Sequence, residues 1–223
     1  MEEKEFKIYG QEKEVQYLSQ IYRNMGIFLA ERLVKTEITP NFITFLAIFF
    51  GFVSIGTLLF FKNNLGIIIG VAIFQLSLIL DVTDGSLARR KNIINKFITW
   101  MDYNADVFLD TCVLFAVTLS LYLQTKEPLI LIFGFSTIIM KDLIYNISIA
   151  LAATVKEPSK ILEKGQKNFL SNFIPTRPFI FLSLMIFAIF NKVYLYFVLM
   201  TIYQVFFYFG TLAYLSIKLK KNE

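Results

Sequence analysis

Apolar runs long enough to cross a lipid bilayer occupy most of this 223-residue chain. A spanning helix needs about 20 predominantly apolar residues. Six runs can be read, at 41–61, 65–83, 97–123, 127–153, 176–190 and 193–216, the fifth of them short. The chain is 56% hydrophobic, more than a soluble domain of this length normally carries. The expected fold is an all-α integral membrane protein with six transmembrane helices. Residues 37–223 are expected to form one membrane-embedded domain, which leaves no room for a separate soluble one.

Residues 1–36 are expected to form a cytoplasmic segment. Its start, MEEKEFKIYGQEKE, is acidic and reads as no cleavable signal peptide. Residues 15–34 follow with helical periodicity. Val15, Leu18, Tyr22, Met25, Leu29 and Leu33 make an apolar stripe, with Gln16, Arg23, Asn24, Glu31 and Arg32 mostly elsewhere. Such a helix can lie in the membrane interface or pack over the cytoplasmic end of the bundle. Next, in KTEITPNFIT, Thr39 can cap the first span and Pro40 suits its first turn. Gly66 and Gly70 form a small-xxx-small pair suited to close packing of the second span.

The net charge is +5, and its distribution sets the orientation. With the amino terminus inside, 18 of the 22 Lys and Arg residues fall on cytoplasmic segments. Only Lys62, Lys126 and Lys192 lie outside, and Lys141 lies within the fourth run. This asymmetry places both termini inside. Topology and anionic headgroups account for the cations, so no nucleic-acid partner is expected. The 17% aromatic content is read as interface belts and lipid-facing bulk. Cys112 is the sole cysteine, which excludes an internal disulfide. The chain has no histidine, which excludes histidine-based acid–base catalysis and histidine metal sites. Any metal must be a hard cation held by oxygen.

Against this apolar background, residues 81–106 read DVTDGSLARRKNIINKFITWMDYNAD. Ionisable groups at the edge of membrane spans are costly unless they serve a cavity, a metal or a proton path. On a helix Asp81, Asp84, Gly85 and Ala88 share one face. Asp102 and Asp106 lie one turn apart on the next helix, and Asp110 continues their line as a further candidate. Four clustered carboxylates repel one another at low dielectric, and divalent cations relieve that repulsion. Gly85 and Ala88 leave the face open to a bulky ligand. Arg89 can hold diphosphate oxygens through two parallel hydrogen bonds. The plain structural alternative is that the aspartates pair with Arg89, Arg90 and Lys91.

The pattern D-x-x-D-G-x-x-A-R, eight residues, then x-x-x-x-D-x-x-x-D resembles the signature of the CDP-alcohol phosphotransferase (CDP-alcohol phosphatidyltransferase) family. All but one of the signature residues are present at the expected spacing. The exception is Ile98, which stands at the family's second glycine. The resemblance extends to ITPNFIT and to the six-span plan. It implies a Mg²⁺- or Mn²⁺-dependent enzyme with two ions, held by Asp81, Asp84, Asp102 and Asp106, and with Asp106 also as the catalytic base. It further implies nucleotide and diphosphate binding by Gly85, Ala88 and Arg89, and a homodimer, while the charge asymmetry puts the active site on the cytoplasmic side and the compact length points to a prokaryotic cell membrane. Phosphatidyl transfer from CDP-diacylglycerol to a polar hydroxyl acceptor, with a polyol phosphate as one candidate, would release CMP. Lys141 and Arg177 are the candidate acceptor-binding cations. Three alternatives stay open: a CDP-amino-alcohol:diacylglycerol phosphotransferase, a divalent-cation transporter, and an inactive family scaffold suggested by Ile98. Outer halves such as VLFAVTLSLYL are almost purely apolar and offer no through-path for an ion.

Overall fold

A computed structural model of the chain describes residues 17–93, 96–154 and 175–220. The acidic start, Val15 and Gln16, the basic stretch 156–172 and Lys221 lie outside the described residues. Among the described residues there are seven helices and no strand: α1 (Tyr17–Leu33), α2 (Pro40–Phe60), α3 (Asn64–Lys91), α4 (Lys96–Thr125), α5 (Leu129–Thr154), α6 (Arg177–Ile189) and α7 (Val193–Lys220).

Among the described residues, five helical segments are long and apolar enough to cross a membrane: Pro40–Phe60, Asn64–Lys91, Phe97–Thr125, Leu129–Ile147 and Val193–Ile217. They match five of the expected spans. The run at 176–190 becomes α6, whose 13 residues extend only about 20 Å. The hydrocarbon layer is about 30 Å thick, so length alone does not make α6 a span.

Local chemistry sets the helix ends. The Phe42 amide donates to the Thr39 hydroxyl at 3.3 Å, and Pro40 opens α2. The Gly66 amide donates to Asn63 Oδ1 at 2.7 Å at the start of α3. Asn92 ends α3 in the left-handed region at φ 56°, a conformation asparagine tolerates better than most residues. Its N–H and that of Ile93 satisfy the last carbonyls of the helix. Arg89, Arg90 and Lys91 sit in this last turn, where cations complement the helix dipole.

α3 is the central element and packs against α1, α2, α4 and α6. The Gly66–Gly70 expectation is met at its amino-terminal half. A Cβ on Gly70 would come within 2.5 Å of Leu58 Cγ, so only glycine admits this approach of α2. Ser54 donates to the Gly70 carbonyl and Ser77 to the Ala47 carbonyl, each at 2.7 Å, tying α2 to α3. Small and hydroxyl residues of this kind hold helices together where apolar burial gives no advantage over lipid. Phe74 of α3 meets Phe181 of α6 edge-on, with ring centroids 4.5 Å apart, and both are fully buried. α5 pairs with α7, where the Thr201 hydroxyl donates to the Phe133 carbonyl at 3.0 Å.

The contact face of α1 differs from the expected stripe. Its buried line is Tyr22, Gly26 and Ala30, whereas Met25 is exposed. Small residues win because they let the backbones approach. A Cβ on Gly26 would lie 2.7 Å from Val82 Cγ1. The larger apolar side chains Tyr17, Ile21, Met25 and Phe28 form a second, outward face.

Candidate active site

The carboxyl-terminal end of α3, the amino-terminal half of α4 and the first residue of α6 meet at one end of the bundle. Asp81, Asp102 and Asp106 each bring a carboxylate oxygen within 4.8 Å of the others. Oxygen donors grouped in this way are the kind that bind hard divalent cations, with the side chains drawing in to reach the ion. All three residues are half-buried. The ordered spacing of the motif therefore translates into convergence of two helices.

Asp84 stands apart from that group of oxygens. It is buried and accepts a short hydrogen bond from the Thr44 hydroxyl of α2. Thr44 belongs to ITPNFIT, so this stretch supports the aspartate face as well as starting a helix. Asp84 still lines a cavity of about 310 Å³ together with Asp81, Gly85, Arg89, Asp102 and Arg177. Gly85 keeps that wall open. A Cβ placed there would meet only the Arg89 guanidinium, at 3.5 Å. Ala88, one turn further on, is not part of this lining. Ile98 is half-buried in the first turn of α4 and is likewise absent from the lining.

The cationic residues distribute differently from the sequence reading. Arg90 pairs with Glu31 of α1 at 2.7 Å. Lys91 donates to the carbonyls of Thr36 and Ile38 at 2.6 and 2.8 Å. These two cations of the α3 end thus have partners other than the aspartates. It is Arg177 that enters the cluster: its Nη1 lies 3.0 Å from Asp81 and 2.6 Å from Asp106, and its Nε lies 2.9 Å from Asp110. Asp110 is 4% exposed, and this guanidinium compensates its burial. Nothing in sequence spacing links residue 177 to residues 81–110. Lys141 does not join the cluster. Its Nζ bonds Asp142 at 3.0 Å and the Thr111 hydroxyl at 3.2 Å. Sequence neighbours point about 100° apart on a helix, but the long lysine stem folds back across that angle.

A model of the CDP-alcohol phosphatidyltransferase family matches residues 37–212. The chain belongs to this family. It is therefore a phosphotransferase of phospholipid synthesis and an integral membrane protein. Among solved structures, the apo form of the phosphatidylinositol phosphate synthase PgsA1 of Mycobacterium tuberculosis has a similar fold. The TM-score is 0.60 at 16% identity, over 83% of this chain and 93% of that one. The same synthase with CDP-DAG bound gives a TM-score of 0.47 at 16% identity, over 82% and 92% of the two chains. Its complex with manganese and citrate gives 0.46 at 18% identity, over 80% and 88%. Curated protein sequences give no match. The family region begins just before α2, so α1 precedes the part of this phosphatidyltransferase that the family model covers.

Proposed function

We propose that the chain transfers a phosphatidyl group from CDP-diacylglycerol to a polar hydroxyl acceptor and releases CMP. The observation that carries this reading is the grouping of Asp81, Asp102 and Asp106 at the edge of an arginine-lined cavity. The acceptor oxygen attacks the phosphorus next to the diacylglycerol. The bond from that phosphorus to the bridging oxygen breaks, and CMP leaves with the electron pair. With no histidine in the chain, a carboxylate must take the acceptor's proton, and we assign this to Asp106. Asp81, Asp102 and Asp106 would hold the divalent cation, with Asp84 completing the set for a second ion. Bound cations supply charge neutralisation at the diphosphate and at the leaving oxygen.

Arg89 and Gly85 border the space assigned to the diphosphate, and Ala88 flanks it from outside the cavity. We assign acceptor binding to Arg177, which lines the cavity as well as bridging the aspartates. An anionic acceptor such as a polyol phosphate suits a guanidinium there. Lys141 is a weaker acceptor ligand, since Asp142 and Thr111 already hold its ammonium.

The positive-inside distribution supports a cytoplasmic site, both termini inside, and α6 as a sixth crossing that is short for its task. The outward apolar face of α1 suits a helix lying in the interface. The compact length is the basis for a prokaryotic membrane, and a homodimer follows from the family resemblance alone.

Purified protein incubated with labelled CDP-diacylglycerol or CDP-amino-alcohols, and with Mg²⁺ or Mn²⁺, tests the reading. CMP release with CDP-diacylglycerol is expected, and no release from any donor contradicts it. Ile98→Gly tests the departure from the family pattern in the same assay. Because Ile98 does not line the cavity, the substitution is expected to change CMP release by less than about threefold, or ~0.6 kcal/mol. A gain of more than tenfold would mean that the isoleucine restricts the site.

A further inference from the structure

One wall of the active cavity comes from outside the family region. Residues 37–212 carry the family match, yet Ser19, Tyr22 and Arg23 of α1 line the cavity beside Arg89 and the aspartates. Four contacts fix α1 there. The Tyr22 hydroxyl, buried and pushed up to about 12 by that burial, donates a short hydrogen bond to Gln75 Oε1 of α3. Gly26 packs on Val82 so closely that a Cβ would lie 2.7 Å from Val82 Cγ1. Glu31 pairs with Arg90 at 2.7 Å. Ser19 Oγ donates to Thr176 Oγ1 at 3.2 Å, next to Arg177. Tyr22 and Gly26 form the line against α3, and Ser19 and Arg23, one turn apart, form the neighbouring line along the cavity.

The result is a cavity of mixed charge. Asp81, Asp84 and Asp102 line it, and Arg23 and Arg89 supply guanidinium groups from two different helices. The forked donors of guanidinium groups suit phosphate oxygens. A diphosphate has two phosphoryl groups, so one can meet a bound cation while the other meets the arginines.

We propose that Arg23 is a binding residue for the donor diphosphate, acting with Arg89, and that α1 is a wall of the nucleotide site. This rests on the CDP-donor reading above. The geometry gives α1 two roles, one face in the interface and one over the substrate.

The test uses the full-length protein, with two readouts: equilibrium binding of CDP-diacylglycerol, and the donor KM measured apart from the acceptor KM. Arg23→Ala is expected to weaken donor binding and raise the donor KM by about 10- to 100-fold, as loss of a charge-assisted hydrogen bond does. The acceptor KM and the melting temperature stay unchanged, and Arg23→Lys recovers part of the loss. Gly26→Val, which forces α1 away from Val82 while keeping Arg23, is expected to weaken donor binding as well. Unchanged donor binding in Arg23→Ala overturns the inference, and so does an equal rise in both KM values. Wild-type protein that neither binds nor cleaves a CDP donor overturns the transferase reading and this inference with it. An active wild type beside an unaffected Arg23→Ala overturns the inference alone.

Discussion

Asp106→Asn is expected to lower CMP release by about three orders of magnitude while the protein still folds. Asparagine keeps the size of the side chain but can neither accept the acceptor's proton nor offer an anionic ligand. General-base catalysis by a positioned side chain contributes about 10²–10⁴-fold, and loss of a metal ligand adds to that. Folding should survive, because Asp106 is only one of three carboxylates facing Arg177. The turnover number in detergent, measured beside the melting temperature, checks this. Activity within tenfold of wild type would remove Asp106 from the chemistry. Asp84→Asn separates the roles of the motif. Asp84 accepts from Thr44 and lies outside the tight group of oxygens, so its loss should weaken cation affinity more than it removes proton transfer.

Arg177→Ala is expected to cost both stability and activity. In the wild type one guanidinium holds Asp81, Asp106 and the buried Asp110. Its removal leaves Asp110 without that compensation inside the bundle. Breaking a buried ion pair by deleting one partner typically costs about 3–5 kcal/mol. For a chain of this size that corresponds to a fall in melting temperature on the order of 10 °C. The double variant Arg177→Ala with Asp110→Asn removes the stranded charge as well, and should recover most of the lost stability without recovering turnover. If the single variant melts like wild type, the ion pairs carry no weight in the fold. If the double variant is no more stable than the single one, Asp110 is not the group that Arg177 compensates.

Much of this architecture was legible in the chain, for reasons that also mark where legibility ended. Five helices follow from apolar length alone, and the cap at Thr39 follows from side-chain chemistry. Spacing placed Asp102 and Asp106 on one face of a helix, because an offset of four residues fixes a face, and the motif as a whole carried the expectation that this face meets Asp81. Which distant element a face meets is another matter. Arg177 reaches Asp81 across 96 positions, and the sequence marked it as a candidate acceptor-binding cation but not as the partner of the aspartates. Asp110 stood out by continuing a line of aspartates, but its partner was not readable. Apolar pattern also fails to separate lipid-facing from buried positions. Phe45 is 66% exposed and Phe74 is fully buried, though both lie in equally apolar runs. The same ambiguity hid the contact face of α1, where Gly26 and Ala30 pack inward and Met25 and Phe28 face out. Close approach favours the smallest residues, which a count of apolar side chains does not weigh.

Cation dependence tests the central claim most directly. Chelator-treated protein is supplied with CDP-diacylglycerol and acceptor, Mn²⁺ is titrated back, and CMP is measured for the wild type and for Asp81→Asn and Asp102→Asn. The account predicts no release without the ion, saturable recovery in the wild type, and a large rise in the Mn²⁺ concentration required by both variants. Undiminished release after chelation, or variants that follow the wild-type titration, would contradict it.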